Sequence, residues 1–516
     1  MISEHLSSRD ENHGVMQGYT LRGKCLFPAM TLFPEKKICD LIGSCKRRTK
    51  MQKTFSETVK AFGVKQVLGY LQKDPENNIP KILDWLDKYG GSVAMPEQLA
   101  FVRRVLTDKD NKWYKYAIRL FKEIDQNCMD KFLTNFVING SMLGLPRQRK
   151  MAAKYKCNIP WTILFDPTSA CNMHCIGCWA AEYGYKNNLT FEEMDKIVSQ
   201  GKELGTYVYL MTGGEPLVRK DDILKLAQKH NDCYFHIFTN TTLMTEEFLD
   251  EVVKCGNISF APSIEGNRET TDSRRGEGCY DKVMHALDML KAKGIPFAVS
   301  ICYTHVNYKA VTSDEFIEML IEKGARIAWF FHYMPVGNDA TPDLLLTPDE
   351  REYIYRRIRY IRSEESPFPI FTIDFQNDGE YIGGCIAGGK NYCHINSAGD
   401  VEPCVFIHYS QANIKDQDLL DCLRQPLFLK YRENQPFNQN MFQPCPMLEN
   451  SGRLTEIVNE SGAHSTDLTS PESAEHLCGK TKAYADAWAP RAEKLWEERL
   501  EQKKAAEEAK KAQQNA

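Results

Sequence analysis

From about residue 160 onward the chain alternates short β-rich runs with amphipathic stretches, and this alternation restricts the fold more than any other feature. The runs are WTILFD, YVYLMT, YFHIFT, ISFAPS, PFAVSICY and IAWFFHY. Between them lie FEEMDKIVSQGKELG, DDILKLAQKH, EEFLDEVVKCG, YDKVMHALDMLKAKG and DEFIEMLIEKG, whose apolar residues recur at helical spacing. Strand and helix alternating six times predict parallel βα units with right-handed crossovers, hence an α/β fold that closes into an open or partial barrel. In such a fold chemistry collects on the loops leaving the C-terminal ends of the strands.

The flanks read differently. Residues 1–51 are treated as a polar, loosely ordered leader, in which CKRRTK is a solvated face. Residues 52–155 carry TFSETVKAFGVKQVLGYL, IPKILDWLDKYG, PEQLAFVRRVL and WYKYAIRLFKEI, which predict a helical N-terminal domain. The barrel is expected over 156–340. A smaller α+β region is expected over 341–488, containing FPIFTIDF and a hairpin, NYCHINSAGDVEPCVF, that turns at SAGD. Residues 489–516 read as a charged helical tail whose apolar stripe ends at Leu500.

With 65 Lys+Arg against 69 Asp+Glu the net charge is -4, so no global positive field holds a polyanion and nucleic acid is not expected as a partner. No apolar run approaches the roughly 18 residues of a spanning helix, and the first residues lack an apolar signal core, so a cytoplasmic protein is expected. Eighteen cysteines in such a chain are better read, where clustered, as metal or redox ligands than as disulfides. The scattered ones, Cys128, Cys157, Cys233, Cys255, Cys279 and Cys302, read as small core hydrophobes.

Cys171, Cys175 and Cys178 form C-x3-C-x2-C directly after WTILFD, within DPTSACNMHCIGCWA. Two metal readings fit. His174 lies inside the cluster, which allows a Cys3His zinc site. A compact loop of thiolates also suits an iron-sulfur cluster, where three thiolates leave one iron of a [4Fe-4S] cube open to an external amine and carboxylate.

Here the sequence resembles the radical SAM superfamily, whose C-x3-C-x2-C-aromatic signature appears with Trp179 as the aromatic residue. The second strand runs into Gly213-Gly214-Glu215, the GGE motif of that superfamily, where glycine lets the backbone approach the ligand and Glu215 accepts from the methionine ammonium group. The third strand ends in Phe238-Thr239-Asn240 and the fourth in Ser263-Ile264-Glu265-Gly266, followed by Arg274-Arg275. These stretches resemble those that contact the ribose and carboxylate of S-adenosylmethionine (SAM), which makes Asn240 a candidate cofactor-binding residue and places Ser263 and Arg275 by the carboxylate. The family usually has Asp where Glu265 stands. Tyr333-Met334-Pro335-Val336-Gly337 resembles a segment that packs near adenine.

Cys385 and Cys404 flank Gly399 as C-x13-G-x4-C, which resembles the opening of the SPASM and twitch extensions that carry an auxiliary iron-sulfur cluster. Cys385, Cys404 and Cys445 are the expected ligands of one auxiliary cluster. Cys393 and Cys478 are the candidates to complete the set, while Cys422 fits a helix core better.

The resemblance implies reductive cleavage of SAM at a [4Fe-4S] cluster, giving a 5'-deoxyadenosyl radical that abstracts hydrogen from a substrate. It also implies an electron donor such as flavodoxin or ferredoxin. A peptide or protein substrate is the first expectation. The second is a lipid or other small molecule, for which aromatic-rich helices such as WYKYAIRLF would line a channel. A non-catalytic iron-sulfur or zinc-binding protein is the reading from a different class, and GGE argues against it. The helical N-terminal domain is expected to cap the barrel mouth or to bind a partner.

Overall fold

A computed structural model describes residues 66–67, 69–89, 96–337 and 340–514. The leader, CKRRTK and most of TFSETVKAFGVKQVLGYL lie outside the described residues. All six expected strands form: β1 (Thr162–Phe165), β2 (Val208–Met211), β3 (Tyr234–Thr239), β4 (Ile258–Pro262), β5 (Ala298–Tyr303) and β6 (Ile327–His332). Within two sheets, β1 to β4 and β5 to β6, neighbours pair in parallel, and parallel bridges Phe260–Phe297 and Ser263–Ser300 carry the curve from β4 to β5. The partial α/β barrel that the alternation predicts is thus present.

The alternation predicts these strands because each has a face buried against helices. Tyr209, Phe235, Phe260, Ile301 and Phe330 share one core with Met194, Ile197, Leu226, Leu249, Leu287 and Leu320 of the intervening helices. Those helices start where their sequences specify it. Thr190 and Glu193 form a reciprocal capping box at the head of Phe191–Leu204, and Thr347 and Glu350 do the same for Pro348–Arg362.

The parallel pattern does not stop at residue 341, as the sequence reading had it. FPIFTIDF supplies β7 (Phe371–Asp374), which pairs in parallel with β6 after the helix Pro348–Arg362, adding one more βα unit. The expected hairpin, β8 (Tyr392–Ile395) and β9 (Val401–Glu402), lies in the same sheet as the barrel, because β8 pairs in parallel with β1. The barrel and the extension are therefore continuous through backbone hydrogen bonds. The division at 489 also falls inside one helix, Ala474–Gln514. Trp488, Ala492 and Leu495 of that helix are buried, and Leu500 is 47% exposed.

The N-terminal helices do not cap the mouth. Asn127 bonds to the Val253 and Lys254 carbonyls, Asn135 to those of Asn231 and Cys233, Gln148 to Gly205, Arg119 to Ile321 and Lys112 to Ile361. Each of these carbonyls precedes a strand, so the helices close the N-terminal end of the barrel, opposite the cysteine loop. WYKYAIRLF belongs to this closure and lines no channel to the mouth. Among the described residues, no helix is long and apolar enough to cross a membrane.

Candidate metal and cofactor site

The cysteine loop is held by the backbone of the next strand end. Gly214 N donates to Thr168 O at 3.0 Å and Glu215 N to Ala170 O at 2.8 Å. A Cβ on Gly214 would stand 2.2 Å from Ala170 O, and Gly213, at φ +111°, faces Thr168 O and Asp166. What approaches these glycines is the chain leading into the thiols, rather than a ligand as the motif alone implied.

Glu215 is equally committed to structure. Its carboxylate accepts from Thr239 Oγ1 at 2.6 Å, Asn240 N at 2.7 Å and Leu217 N at 3.0 Å, and burial raises its pKa. Three of about four acceptor positions are taken, leaving about one for an ammonium group. Thr241, just beyond, is a β-branched residue at φ +66°, a strained conformation that persists only where its surroundings enforce it.

The three thiols share one space. Each of Cys171 and Cys175 lies in the electrostatic field of the other two loop cysteines or of Cys178, and burial pushes Cys171 up to about 11. Asn240 Nδ2 stands 3.9 Å from Cys171 Sγ. Tyr333 packs on Gly177, where a Cβ would meet its ring at 2.6 Å. His174 Nδ1 turns away to Tyr185 Oη at 3.3 Å. Among the described residues no three His, Cys, Asp or Glu side chains are placed to hold a single ion. Three soft thiols on one loop instead suit a group with several metal atoms, each taking one thiolate.

Beside them, Arg274 Nη1 and Arg275 Nη2 both reach Glu265 Oε1, at 2.5 and 2.6 Å, with Glu265 fully buried. Burial opposes its ionisation, and the two guanidiniums outweigh that and hold its pKa below the ordinary glutamate value. Arg274 also clamps the loop, since its Nε donates to Ile176 O and its carbonyl accepts from Ile176 N. Two cations against one carboxylate leave a net positive charge for an incoming anion, within the field of Cys175. Glu265 is thus the counter-ion of the expected carboxylate-binding arginine. Ser263 lies at the end of β4, its N–H donating to Thr239 O. Cys302, read from sequence as core, lies in the field of Arg274, Glu265, Arg275 and Cys178, with its N–H on Glu265 Oε2. Its place on alternate positions of β5 was the available signal.

Trp179 meets the C-terminal extension. Its ring contacts Tyr183, His394, Phe406 and His408 at 5.8–6.3 Å, so it faces the C-terminal hairpin. Beneath it lies a buried polar network that sequence reading missed. His394 Nδ1 meets Glu402 Oε2 at 2.6 Å and its Nε2 makes an ion pair with Asp166 at 3.0 Å. Burial lowers the His394 pKa, and the two carboxylates more than offset this and raise it to about 10. Asp166 ends β1 and Glu402 is in the hairpin, so the imidazolium joins the two halves.

Cys385, Cys404 and Cys445 also converge, Cys404 in the field of Cys385 and Cys445 in that of both, with burial pushing Cys385 up to about 11 and Cys404 up to about 12. Tyr392 Oη donates to Cys404 Sγ at 2.6 Å. Tyr431 is buried with no hydrogen-bond partner for its hydroxyl, and its field includes Cys385, Cys404, Cys445 and Cys478. An orphaned donor among thiols fits a group seated between them. Cys393 points the other way, into the barrel core with Cys422. It is therefore no part of this set, whereas Cys478 shares the second core.

Comparison with known proteins agrees with this geometry. Residues 165–321 match the model of the Radical SAM superfamily, and 385–447 match SPASM, an iron-sulfur cluster-binding domain. The chain is 26% identical over 287 residues to an AdoMet-dependent heme synthase of Methanosarcina barkeri, covering 50% of this chain and 81% of that protein. It is 26% identical over 263 residues to the mycofactocin maturase MftC of Mycolicibacterium smegmatis, covering 48% and 64%. The solved structure of Streptococcus suis SuiB bound to precursor peptide SuiA shares the fold, with a TM-score of 0.50 at 18% identity over 60% of this chain and 76% of that one.

Proposed function

Because the chain is a radical SAM enzyme with a SPASM domain, using a [4Fe-4S] cluster and SAM, we propose that it abstracts hydrogen from a substrate held in the barrel above the β-strand ends. The observation that carries this is the meeting of three loop thiols with the buried Arg274–Glu265–Arg275 group. When bound, the cluster and SAM supply the one-electron chemistry that yields 5'-deoxyadenosine as the hydrogen-bearing product.

The residues divide the remaining work. Cys171, Cys175 and Cys178 hold the cluster after losing their protons, which burial makes costly at Cys171 and Cys175 until a metal takes the sulfurs. Arg275, oriented by Glu265, receives the SAM carboxylate, with Ser263 beside it. Asn240 stands over the Cys171 side for the ribose. Glu215 fixes the ends of β2 and β3 and keeps one acceptor position for the ammonium group. Tyr333, packed on Gly177, excludes water from one side of the loop. Cys385, Cys404 and Cys445 hold one auxiliary cluster, with Cys478 as the nearest further thiol.

An external donor such as flavodoxin or ferredoxin supplies the electron, and the free thiols of the described cysteines suit a reducing cytoplasm. The relatives' names divide over the substrate: MftC is named as a maturase and SuiB was solved with a precursor peptide, which supports a peptide or protein, while the heme synthases support a small molecule. The test is anaerobic reconstitution followed by reduction with SAM present. We expect 5'-deoxyadenosine from the native protein and none from Cys175→Ala; a Cys175→Ala protein that still cleaves SAM overturns the assignment.

A further inference from the structure

The inward faces of the strands state what the barrel offers a substrate. Tyr209, Phe235, Ile301 and Phe330 face outward to the helices. Their alternates Leu210, Phe238, Cys302, Trp329 and Phe331 are only partly buried. Phe238 meets Phe331 at 6.0 Å and Trp329 at 6.1 Å, between β3 and β6, which are not neighbours in the sheet. These contacts therefore cross the lumen. Phe331 touches Phe375 at 5.3 Å, and Phe375 reaches Tyr392 at 6.2 Å across the seam between β7 and β8. The result is a continuous aromatic floor level with Cys302, which is in register with Phe331 and whose N–H bonds to Glu265.

This floor carries no charge. The only acidic or basic side chain in β2 to β7, histidines aside, is Asp374, which turns outward to Tyr303. His236 is held neutral, since burial lowers its pKa to about 4. On the β1 and β8 flank, Asp166 and His394 pair with each other beneath Trp179 and Tyr183 and are fully buried. The loops at the mouth continue the apolar surface: Ile176 is 58% exposed, Val306 66% and Val218 44%.

A peptide in this lumen brings an N–H and a C=O per residue that need partners, of which Trp329 Nε1 and His236 Nε2, both buried without a hydrogen-bond partner, can meet only two. A carboxylated macrocycle needs cations, and those in reach, Arg274 and Arg275, are shared between Glu265 and the SAM carboxylate assigned to them above. Hydrocarbon requires neither and gains from aromatic contact. We propose that the part of the substrate seated in the lumen is an uncharged hydrocarbon chain, the acyl or alkyl tail of a lipid, lying against Phe238, Phe331 and Phe375. This rests on the radical SAM reading above and names its substrate class.

The test uses reconstituted, oxidised holoenzyme with methyl 16-doxyl-stearate as the probe, its immobilised fraction read by electron paramagnetic resonance. We expect saturable immobilisation that a short-chain diacyl phosphatidylcholine displaces and a mixed-sequence octapeptide does not. Phe331→Asp and, as a milder change, Phe375→Ser weaken probe binding at least tenfold, while each still forms 5'-deoxyadenosine from SAM without substrate. Non-saturable binding, binding unchanged in both variants, or displacement by the peptide overturns the proposal. Failure of the native protein to form 5'-deoxyadenosine overturns the underlying reading, and that assay is scored separately from probe binding.

Discussion

Glu215 and Glu265 are both buried carboxylates at strand ends, and their surroundings give them different work. Glu215 accepts three hydrogen bonds from the ends of β2 and β3, whereas Glu265 forms ion pairs with two guanidiniums. Arg275→Ala is therefore expected to raise the apparent KM for SAM at least tenfold with iron content unchanged, measured as 5'-deoxyadenosine formation against SAM concentration. His394 makes a pH prediction. Its folded pKa, about 10, lies above the ordinary histidine value, so its stabilisation is complete below about pH 6.5 and fades as pH rises toward 10. The thermal midpoint of the native protein should fall more steeply than that of His394→Gln over this range; parallel slopes would remove the imidazolium from the account. At this scale the grouping of the thiols in each set was legible from spacing and resemblance, whereas the part of Arg274 beside Arg275 on Glu265 was not. Trp179 and Glu215 were not, because a motif names a residue without saying which way it faces.

Alternation exposed the strands β1 to β6 because each buries one face on helices that carry their own period. It missed the place of β7 and β8, whose pairing with β6 and β1 joins segments distant in sequence, and no local pattern reports a non-local partner. Two elements follow from contacts alone. Gly214→Ala places a methyl 2.2 Å from Ala170 O, so it should displace the cysteine loop and lower iron retention with little change in helix content by circular dichroism. Normal iron retention would show that the loop yields. The N-terminal helices close the end of the barrel far from the thiols, so Asn135→Ala, which removes two hydrogen bonds while Lys131 and Asn257 still donate to the same carbonyls, should cost about 1–3 kcal/mol in unfolding free energy with the KM for SAM unchanged. A changed KM would connect that end of the barrel to the site.

Across the whole molecule, the two cysteine sets are joined through few side chains. Trp179 adjoins Cys178, its ring lies 6.3 Å from that of Phe406, and Phe406 is two residues from Cys404. The His394–Asp166–Glu402 network crosses the same boundary. The fold thus holds one group at the barrel mouth and the other beside the β8–β9 hairpin that extends the sheet past β1, with sealed rings between them. The most direct measurement is iron and 5'-deoxyadenosine in parallel on native, Cys175→Ala and Cys445→Ala proteins after anaerobic reconstitution. Two cubes predict about eight irons in the native chain and about four in each variant, with SAM cleavage abolished in Cys175→Ala. A native protein without iron, or a Cys175→Ala protein with full iron and full cleavage, contradicts the account.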